Sequence, residues 1–193
     1  MKKNTAVFLF ALCPLIPVAS RLAYGIILGF ELIWIFLIGV VFREIVRKIK
    51  TGKASTYIEL VCIAGSATVF SFILQWFSPT LFISLGLYIY LTAFSYLLLL
   101  SIDFFSIEKN NFLPVVPFIP FLIFFSCLRE ILGTGTISLP VPNGILEISI
   151  LPFFNLYGIS FWGTSGGALI LLGIFGWASK YLHRRISNFR RSV

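Results

Sequence analysis

The sequence predicts an all-α polytopic membrane protein, and its composition is the first observation behind that prediction. The chain of 193 residues is 59% hydrophobic and only 11% charged, whereas an average protein is about 45–50% apolar and about 25% charged. A globule of this size cannot hide so much apolar surface from water. Its 22 Phe, 7 Tyr and 4 Trp also exclude a disordered chain, because disordered chains are poor in aromatic residues.

The second observation is that the apolar residues form six runs, most of them near the roughly 20 residues that a membrane-spanning helix needs. The runs are residues 5–20, 22–42, 57–77, 80–102, 112–132 and 160–182. The first run resembles a signal peptide, but Pro14 and Pro17 and the lack of a soluble domain after it argue against cleavage. Gly, Pro and Asn punctuate residues 133–159, which predicts a long irregular surface loop.

The third observation is the position of the charges, which sum to a formal net charge of +8. Most basic residues lie in residues 43–53 and 180–191, outside the apolar runs. Because cytoplasmic segments of membrane proteins are rich in Lys and Arg, these two clusters and residues 2–3 are predicted to face the cytoplasm, together with both termini. Anionic lipid of the bilayer is the expected partner of the clusters, and no nucleic-acid-binding motif accompanies them.

A short internal echo predicts how the six helices are arranged. Phe-Arg-Glu-Ile at residues 42–45 ends the second run, and Leu-Arg-Glu-Ile at residues 128–131 ends the fifth. A single domain of residues 1–193, made of two three-helix halves at about 1–78 and 79–193, places these motifs at corresponding positions. Halves with an odd number of spans point in opposite directions, as inverted repeats do, and such folds hold ligands at discontinuous helices. The first and fourth helices are therefore predicted to be broken.

Cys13 lies at the predicted break in the first helix, and its counterpart in the second half falls near Tyr96. Pro14 has no N–H and disfavours helical geometry at Cys13, so the helix should break there. A thiolate beside such a break suits a soft metal centre such as an iron–sulfur cluster. A buried cysteine is also often only a small apolar residue. Cys62 and Cys127 are expected near opposite membrane surfaces, as packing residues.

Glu31 lies midway along the second run, and an intramembrane carboxylate indicates a functional site because its burial is costly. We interpret it as part of an ion or proton path, or as a helix-face residue that a hydroxyl or a neighbouring subunit satisfies. Glu59 is close enough to the basic loop to be interfacial. Arg129 and Glu130, just before Gly133, are expected to form a local ion pair at a helix C-terminus.

Four stretches carry more specific patterns: residues 3–20, 85–91, 128–136 and 178–182. The most specific is residues 128–136, where an Arg-Glu pair is followed by Gly-x-Gly-Thr. In register over nearly the whole chain, these stretches resemble the family that contains the E-type protein of the Rnf electron-transport complex and the D-type protein of the sodium-translocating NADH:quinone oxidoreductase. The chain is identified as a divergent member of that family.

The resemblance implies a subunit of an ion-translocating oxidoreductase complex in the bacterial inner membrane, and not an enzyme by itself. The implied partners are a homologous six-helix subunit of opposite topology and further subunits that carry flavin and iron–sulfur centres. In this family, two paired subunits each give two cysteines to one intramembrane [2Fe-2S] cluster. Electron transfer through the complex is coupled to Na+ or H+ transport. Cys13 matches the first family cysteine.

Tyr96 departs from the family pattern, because it stands where the second cysteine is expected. Tyrosine is not a usual ligand of iron–sulfur clusters. Three outcomes follow: a cluster with altered ligation, a cluster held chiefly by the partner, or a degenerate subunit with a scaffold role alone.

Two functions from other classes compete with this interpretation. One is a small-molecule or cation transporter on the same inverted-repeat scaffold, with Glu31 in the path. The other is an intramembrane cysteine peptidase built on Cys127, which the sequence disfavours because the single histidine, His183, lies in the basic tail and cannot activate a buried thiol.

Overall fold

The computed structural model describes residues 15–49, 54–101, 118–142, 144–150 and 160–191. Within these ranges the chain forms six α-helices, a 3-10 helix and a two-stranded hairpin. The helices are α1 (Leu15–Val18), α2 (Leu22–Ile49), α3 (Ser55–Phe77), α4 (Pro79–Ser101), α5 (Phe118–Thr134) and α6 (Ser165–Arg191). The strands are β1 (Thr136–Val141) and β2 (Gly144–Ser149), and the 3-10 helix is Ser160–Gly163.

Helix α2 is the centre of the fold, because it packs against α3, α4, α5 and β1. Its inward side chains, among them Leu28, Leu32 and Ile35, are fully buried in one apolar core. α5 approaches α2 closely at Gly25, where a Cβ atom would lie 2.2 Å from Oγ of Ser126. Small residues allow membrane helices this kind of close packing.

Much of the outer surface of the bundle is apolar. Trp76 is 90% exposed and Leu87 is 79% exposed, which in water would cost free energy in proportion to the apolar area. In the described part of the chain, two helices are long and apolar enough to cross a membrane, over Leu22–Val46 and Tyr57–Phe77. Pro79–Ser95 and Ser165–Ala178 are shorter apolar helices. Hydrocarbon is the solvent that such a surface suits.

The fourth helix differs from the expectation of a break near Tyr96. α4 runs without interruption from Pro79 to Ser101, so that part of the prediction is wrong. The reason is local: the only proline of the segment is Pro79, at its first position, where proline is compatible with a helix. Ser78 forms the junction, since its N–H donates to the carbonyl of Leu74 and its carbonyl accepts from the N–H of Phe82.

The first segment and the repeat symmetry have a different outcome. Only Leu15–Val18 of the first segment belongs to the described helices, and the expected break at Cys13 lies outside the described residues. The inverted repeat, with halves at about 1–78 and 79–193, stays a prediction.

The segment expected to be an irregular loop contains the hairpin instead, so the fold is not purely helical. β1 pairs with β2 in antiparallel register from Thr136 opposite Ser149 to Val141 opposite Gly144. Strand alternation buries Thr136 and Ser138 on one face of β1, towards α5 and α2. The sequence signal was Pro-Asn-Gly at residues 142–144 between apolar, partly β-branched residues, which favours a hairpin turn.

Gly167 provides a test of the packing between α6 and the 3-10 helix. A Cβ atom at Gly167 would lie 2.2 Å from the carbonyl oxygen of Phe161 and 2.9 Å from Cα of Trp162. These are backbone atoms, so Gly167→Ala should lower the free energy of unfolding by about 1–3 kcal/mol. Thermal unfolding in detergent measures the change. Gly173→Ala on the same helix is the control, because no atom lies within 4 Å of its Cβ position; equal melting temperatures for the two variants would contradict the packing.

Candidate functional site

Arg129 of α5 is a fully buried cation whose partners are all backbone carbonyls. A guanidinium has five N–H donors, and the side chain makes five hydrogen bonds of 2.8–3.2 Å. Two of the acceptors lie in α1, two lie at the end of the 3-10 helix, and one directly follows the 3-10 helix. The acceptors are the carbonyl oxygens of Ile16, Pro17, Trp162, Gly163 and Thr164.

The carbonyls of Ile16, Pro17, Trp162 and Gly163 lie near the ends of short helices, where carbonyls lack intrahelical donors. The carbonyl of Thr164 also accepts from the N–H of Ala168 at the start of α6. Arg129 therefore closes the C-terminal ends of two separate elements with one side chain.

Glu130, the next residue of α5, accepts hydrogen bonds at the N-terminus of α2. Its Oε2 accepts from the backbone N–H of Leu22 at 2.7 Å and from the hydroxyl of Ser138 at 2.9 Å. Its Oε1 accepts from the hydroxyl of Thr136 at 3.3 Å. Ser138 in turn accepts from the N–H of Ala23 at 3.2 Å. α2 has no acidic residue in its own first turn, so Glu130 supplies the negative charge that this end of a helix favours.

Together, two consecutive residues of α5 fix the turn between α1 and α2 from both sides. We call Arg129, Glu130, Thr136 and Ser138 the junction cluster. The expected local ion pair between Arg129 and Glu130 does not describe their contacts, because each side chain forms its hydrogen bonds with other partners. The opposite helix ends they bind, rather than their mutual attraction, account for a buried pair of charges here.

A second polar site lies inside the bundle, at Glu31 of α2 and Thr92 of α4, both fully buried. The Oγ1 atom of Thr92 is within hydrogen-bond distance of Oε1 of Glu31 and of the carbonyl oxygen of Ile89. Within the described part of the chain, Oε2 of Glu31 has no hydrogen-bond partner. Sequence reasoning found Glu31 but not Thr92, because a threonine in an apolar helix carries no signal of its own.

The remaining candidate residues are not brought together by the described structure. Cys13 lies outside the described residues, and Tyr96 is described only as a helical position, about one turn after Thr92 on α4. Cys62 and Cys127 are partly buried on α3 and α5. In the ranges that the structure describes, no three His, Cys, Asp or Glu side chains converge as a metal site.

A family model described as "Rnf-Nqr subunit, membrane protein" matches residues 1–175. The chain belongs to the Rnf-Nqr subunit family. Membership confirms both the resemblance that the Arg-Glu and Gly-x-Gly-Thr motif indicated and the predicted class of membrane protein. Three of the four residues of the junction cluster, Arg129, Glu130 and Thr136, belong to that motif. The motif of this Rnf-Nqr protein therefore holds its helix ends.

Three curated relatives cover most of this Rnf-Nqr protein. It is 27% identical over 92% of its length, and 89% of the relative, to an uncharacterized protein of Treponema pallidum. It is 24% identical, over 93% of its length and 82% of the relative, to the E-type protein of the ion-translocating oxidoreductase complex of Methanosarcina acetivorans. It is 25% identical, over 68% of its length and 65% of the relative, to the E-type protein of the proton-translocating ferredoxin:NAD(+) oxidoreductase complex of Clostridium ljungdahlii.

Arg129→Lys tests the junction cluster. Lysine has three donors in place of the five of arginine, and unsatisfied buried groups are costly, so the free energy of unfolding should fall by about 2–4 kcal/mol. Arg21→Lys is the control, because Arg21 forms an exposed ion pair with Glu147, and such pairs contribute about 0–1 kcal/mol. Thermal unfolding in detergent compares the two variants. A melting temperature of Arg129→Lys that matches Arg21→Lys would refute the role of the five contacts.

Proposed function

We propose that this chain is the membrane subunit of an Rnf-type ion-translocating oxidoreductase complex that helps electrons cross the bilayer. The family match over residues 1–175 carries the proposal, and two relatives named as E-type proteins of such complexes support it. The chain works with partners: a homologous six-helix subunit of opposite topology and further subunits that bear flavin and iron–sulfur centres. The complex lies in the inner membrane of a bacterial cell, with both termini of the chain in the cytoplasm.

The electron-transfer part of the proposal centres on Cys13. Cys13 is one ligand of a [2Fe-2S] cluster shared with the homologous subunit, which carries single electrons. With Tyr96 in the place of a second cysteine, the partner supplies most of the ligands. Arg129 supports this role, because it binds the carbonyls of Ile16 and Pro17. Since these residues follow Cys13 by three and four positions in the sequence, Arg129 binds the part of the chain that comes shortly after the cysteine.

The ion-transport part of the proposal centres on Glu31. It is fully buried in α2 and contacts Thr92, about one turn before Tyr96 on α4. An ionisable group at this depth is expensive to retain without a function. Coupling of Na+ or H+ movement to electron transfer requires a chargeable group near the electron path, and Glu31 is the proposed group.

A second function is favoured by the same observation. A buried carboxyl group such as Glu31, with one oxygen that has no hydrogen-bond partner among the described residues, also suits a cation or small-molecule transporter that works alone. The two functions differ in whether the isolated chain transports anything.

Iron analysis tests the role of Cys13. The complex is purified with this subunit in three forms: the native chain, Cys13→Ala and Cys62→Ala. We expect Cys13→Ala to lose iron and the EPR signal of the reduced cluster, and Cys62→Ala to retain both, since Cys62 is a packing residue in α3. Electron transfer at the native rate with unchanged iron in Cys13→Ala would eliminate the proposed ligand.

Reconstitution into liposomes tests the role of Glu31. With Glu31→Gln we expect redox-driven ion transport by the complex to fall, because the side chain can no longer bind or release a cation. Glu147→Gln is the matched control, as Glu147 is exposed on β2. Transport by the lone chain, sensitive to Glu31→Gln, would favour the transporter instead, and undiminished transport by the Glu31→Gln complex would exclude Glu31 from the path.

A further inference from the structure

We propose that Glu31 is a proton-binding site, and that in the resting protein it is a neutral carboxylic acid that donates a hydrogen bond to Thr92. The use of this proton for coupled transport rests on the proposed function. The protonation itself rests on the contacts, burial and charges around Glu31, which define the state of the side chain whether or not the complex transports protons.

The depth of Glu31 is the first step. It lies nine residues after Leu22, roughly 14 Å along α2 at 1.5 Å per residue, and about half of the 30 Å hydrocarbon thickness. Its fully buried neighbours on the same helix are Leu28, Leu32 and Ile35. A carboxylate in such surroundings loses its hydration, and a group in that position usually takes up a proton instead.

The number of protons is the second step. The hydroxyl of Thr92 has one proton to donate, yet its oxygen is within hydrogen-bond distance of two acceptors, Oε1 of Glu31 and the carbonyl of Ile89. Threonine hydroxyls in helices commonly donate to a carbonyl one turn back. If Thr92 donates to Ile89, the contact with Glu31 needs a proton from the carboxyl group. Neutral Glu31 satisfies both contacts at once.

The absence of a compensating charge is the third step. α4 contains no Asp, Glu, Lys or Arg, and the basic residues of α2 begin at Arg43, about three turns beyond Glu31. On α5, Arg129 and Glu130 are engaged in the junction cluster. Glu59 of α3 lies near Arg43. Glu44 directly follows Arg43 on α2, and the remaining titratable residues of these four helices are tyrosines and cysteines. Among the described residues, no basic group neutralises Glu31.

The continuity of the two helices then favours a proton over Na+. Sodium sites in membrane folds use carbonyls of unwound helix segments, but α2 and α4 are both unbroken at Glu31 and Thr92. The backbone carbonyls of both helices remain engaged in helical hydrogen bonds. The oxygen ligands that the described structure offers to a sodium ion here are therefore the carboxyl group of Glu31 and the hydroxyl of Thr92. When the carboxyl group gives its proton to a water molecule, the hydroxyl of Thr92 can rotate from the carbonyl of Ile89 to Oε1 of Glu31 and donate to the new carboxylate.

Infrared spectroscopy of the purified complex tests the protonation directly, because the C=O stretch of a carboxylic acid is distinct from that of a carboxylate. We expect a carboxylic-acid band at neutral pH that shifts in D2O, is missing in Glu31→Gln and persists in Glu147→Gln. Thr92→Val should move the band to higher frequency by removing its acceptor, and Thr92→Ser should leave it in place. Identical spectra for the native complex and Glu31→Gln would overturn the proposal.

Sodium titration and transport separate the inference from the proposed function. Loss of the band when Na+ replaces K+ at constant pH would also overturn the proposal, since it would mark Glu31 as a sodium site. A band insensitive to Na+ supports the proton. If that band is present while Glu31→Gln transports ions normally, protonated Glu31 stands and the proposed ion path through it fails.

Discussion

A backbone carbonyl or amide at a helix end needs a partner, and the hydrocarbon of a bilayer supplies none. Such groups occur in the turn between α1 and α2 and at the end of the 3-10 helix. Two adjacent side chains of α5 are their hydrogen-bond partners. Arg129 binds carbonyls, and Glu130 binds the amide end of α2. The hairpin takes part as well, because the hydroxyls of Thr136 and Ser138 donate further hydrogen bonds to Glu130. Remove this cluster, and α1, α2, α6 and the hairpin lose their common attachment.

The sequence predicted α3 and α4 to within two residues at each end, because lipid-facing and core positions alike are apolar. It failed where partners are distant along the chain. The acceptors of Arg129 at Ile16 and Thr164 lie 113 and 35 residues away, so the motif showed its importance but not its contacts. A local ion pair was the natural inference from adjacency. Consecutive helical residues do not face each other, however, and that geometry leaves each charge to different elements.

The two errors in the second half have opposite causes. The break expected in α4 came from analogy between the halves, whereas the residues of α4 themselves contain no breaker after Pro79. The hairpin differs from the expected loop because Gly, Pro and Asn are typical both of irregular loops and of hairpin turns. The alternation that places Thr136 and Ser138 on one face of a strand is the signal that separates the two. Glu31 was recognised from its charge alone, while Thr92, 61 residues away, becomes informative only once α2 and α4 are packed together.

The distance between Arg129 and its acceptors also bears on how the protein is made. Synthesis proceeds from the N-terminus, so α1, α2, α3 and α4 are made before α5 exists. Until then the carbonyls of Ile16 and Pro17 lack Arg129, and the amide of Leu22 lacks Glu130. Until α5 is made, these polar groups of the α1–α2 turn need water or another temporary partner. The final burial of the turn is a late event of assembly, which waits for the last third of the chain.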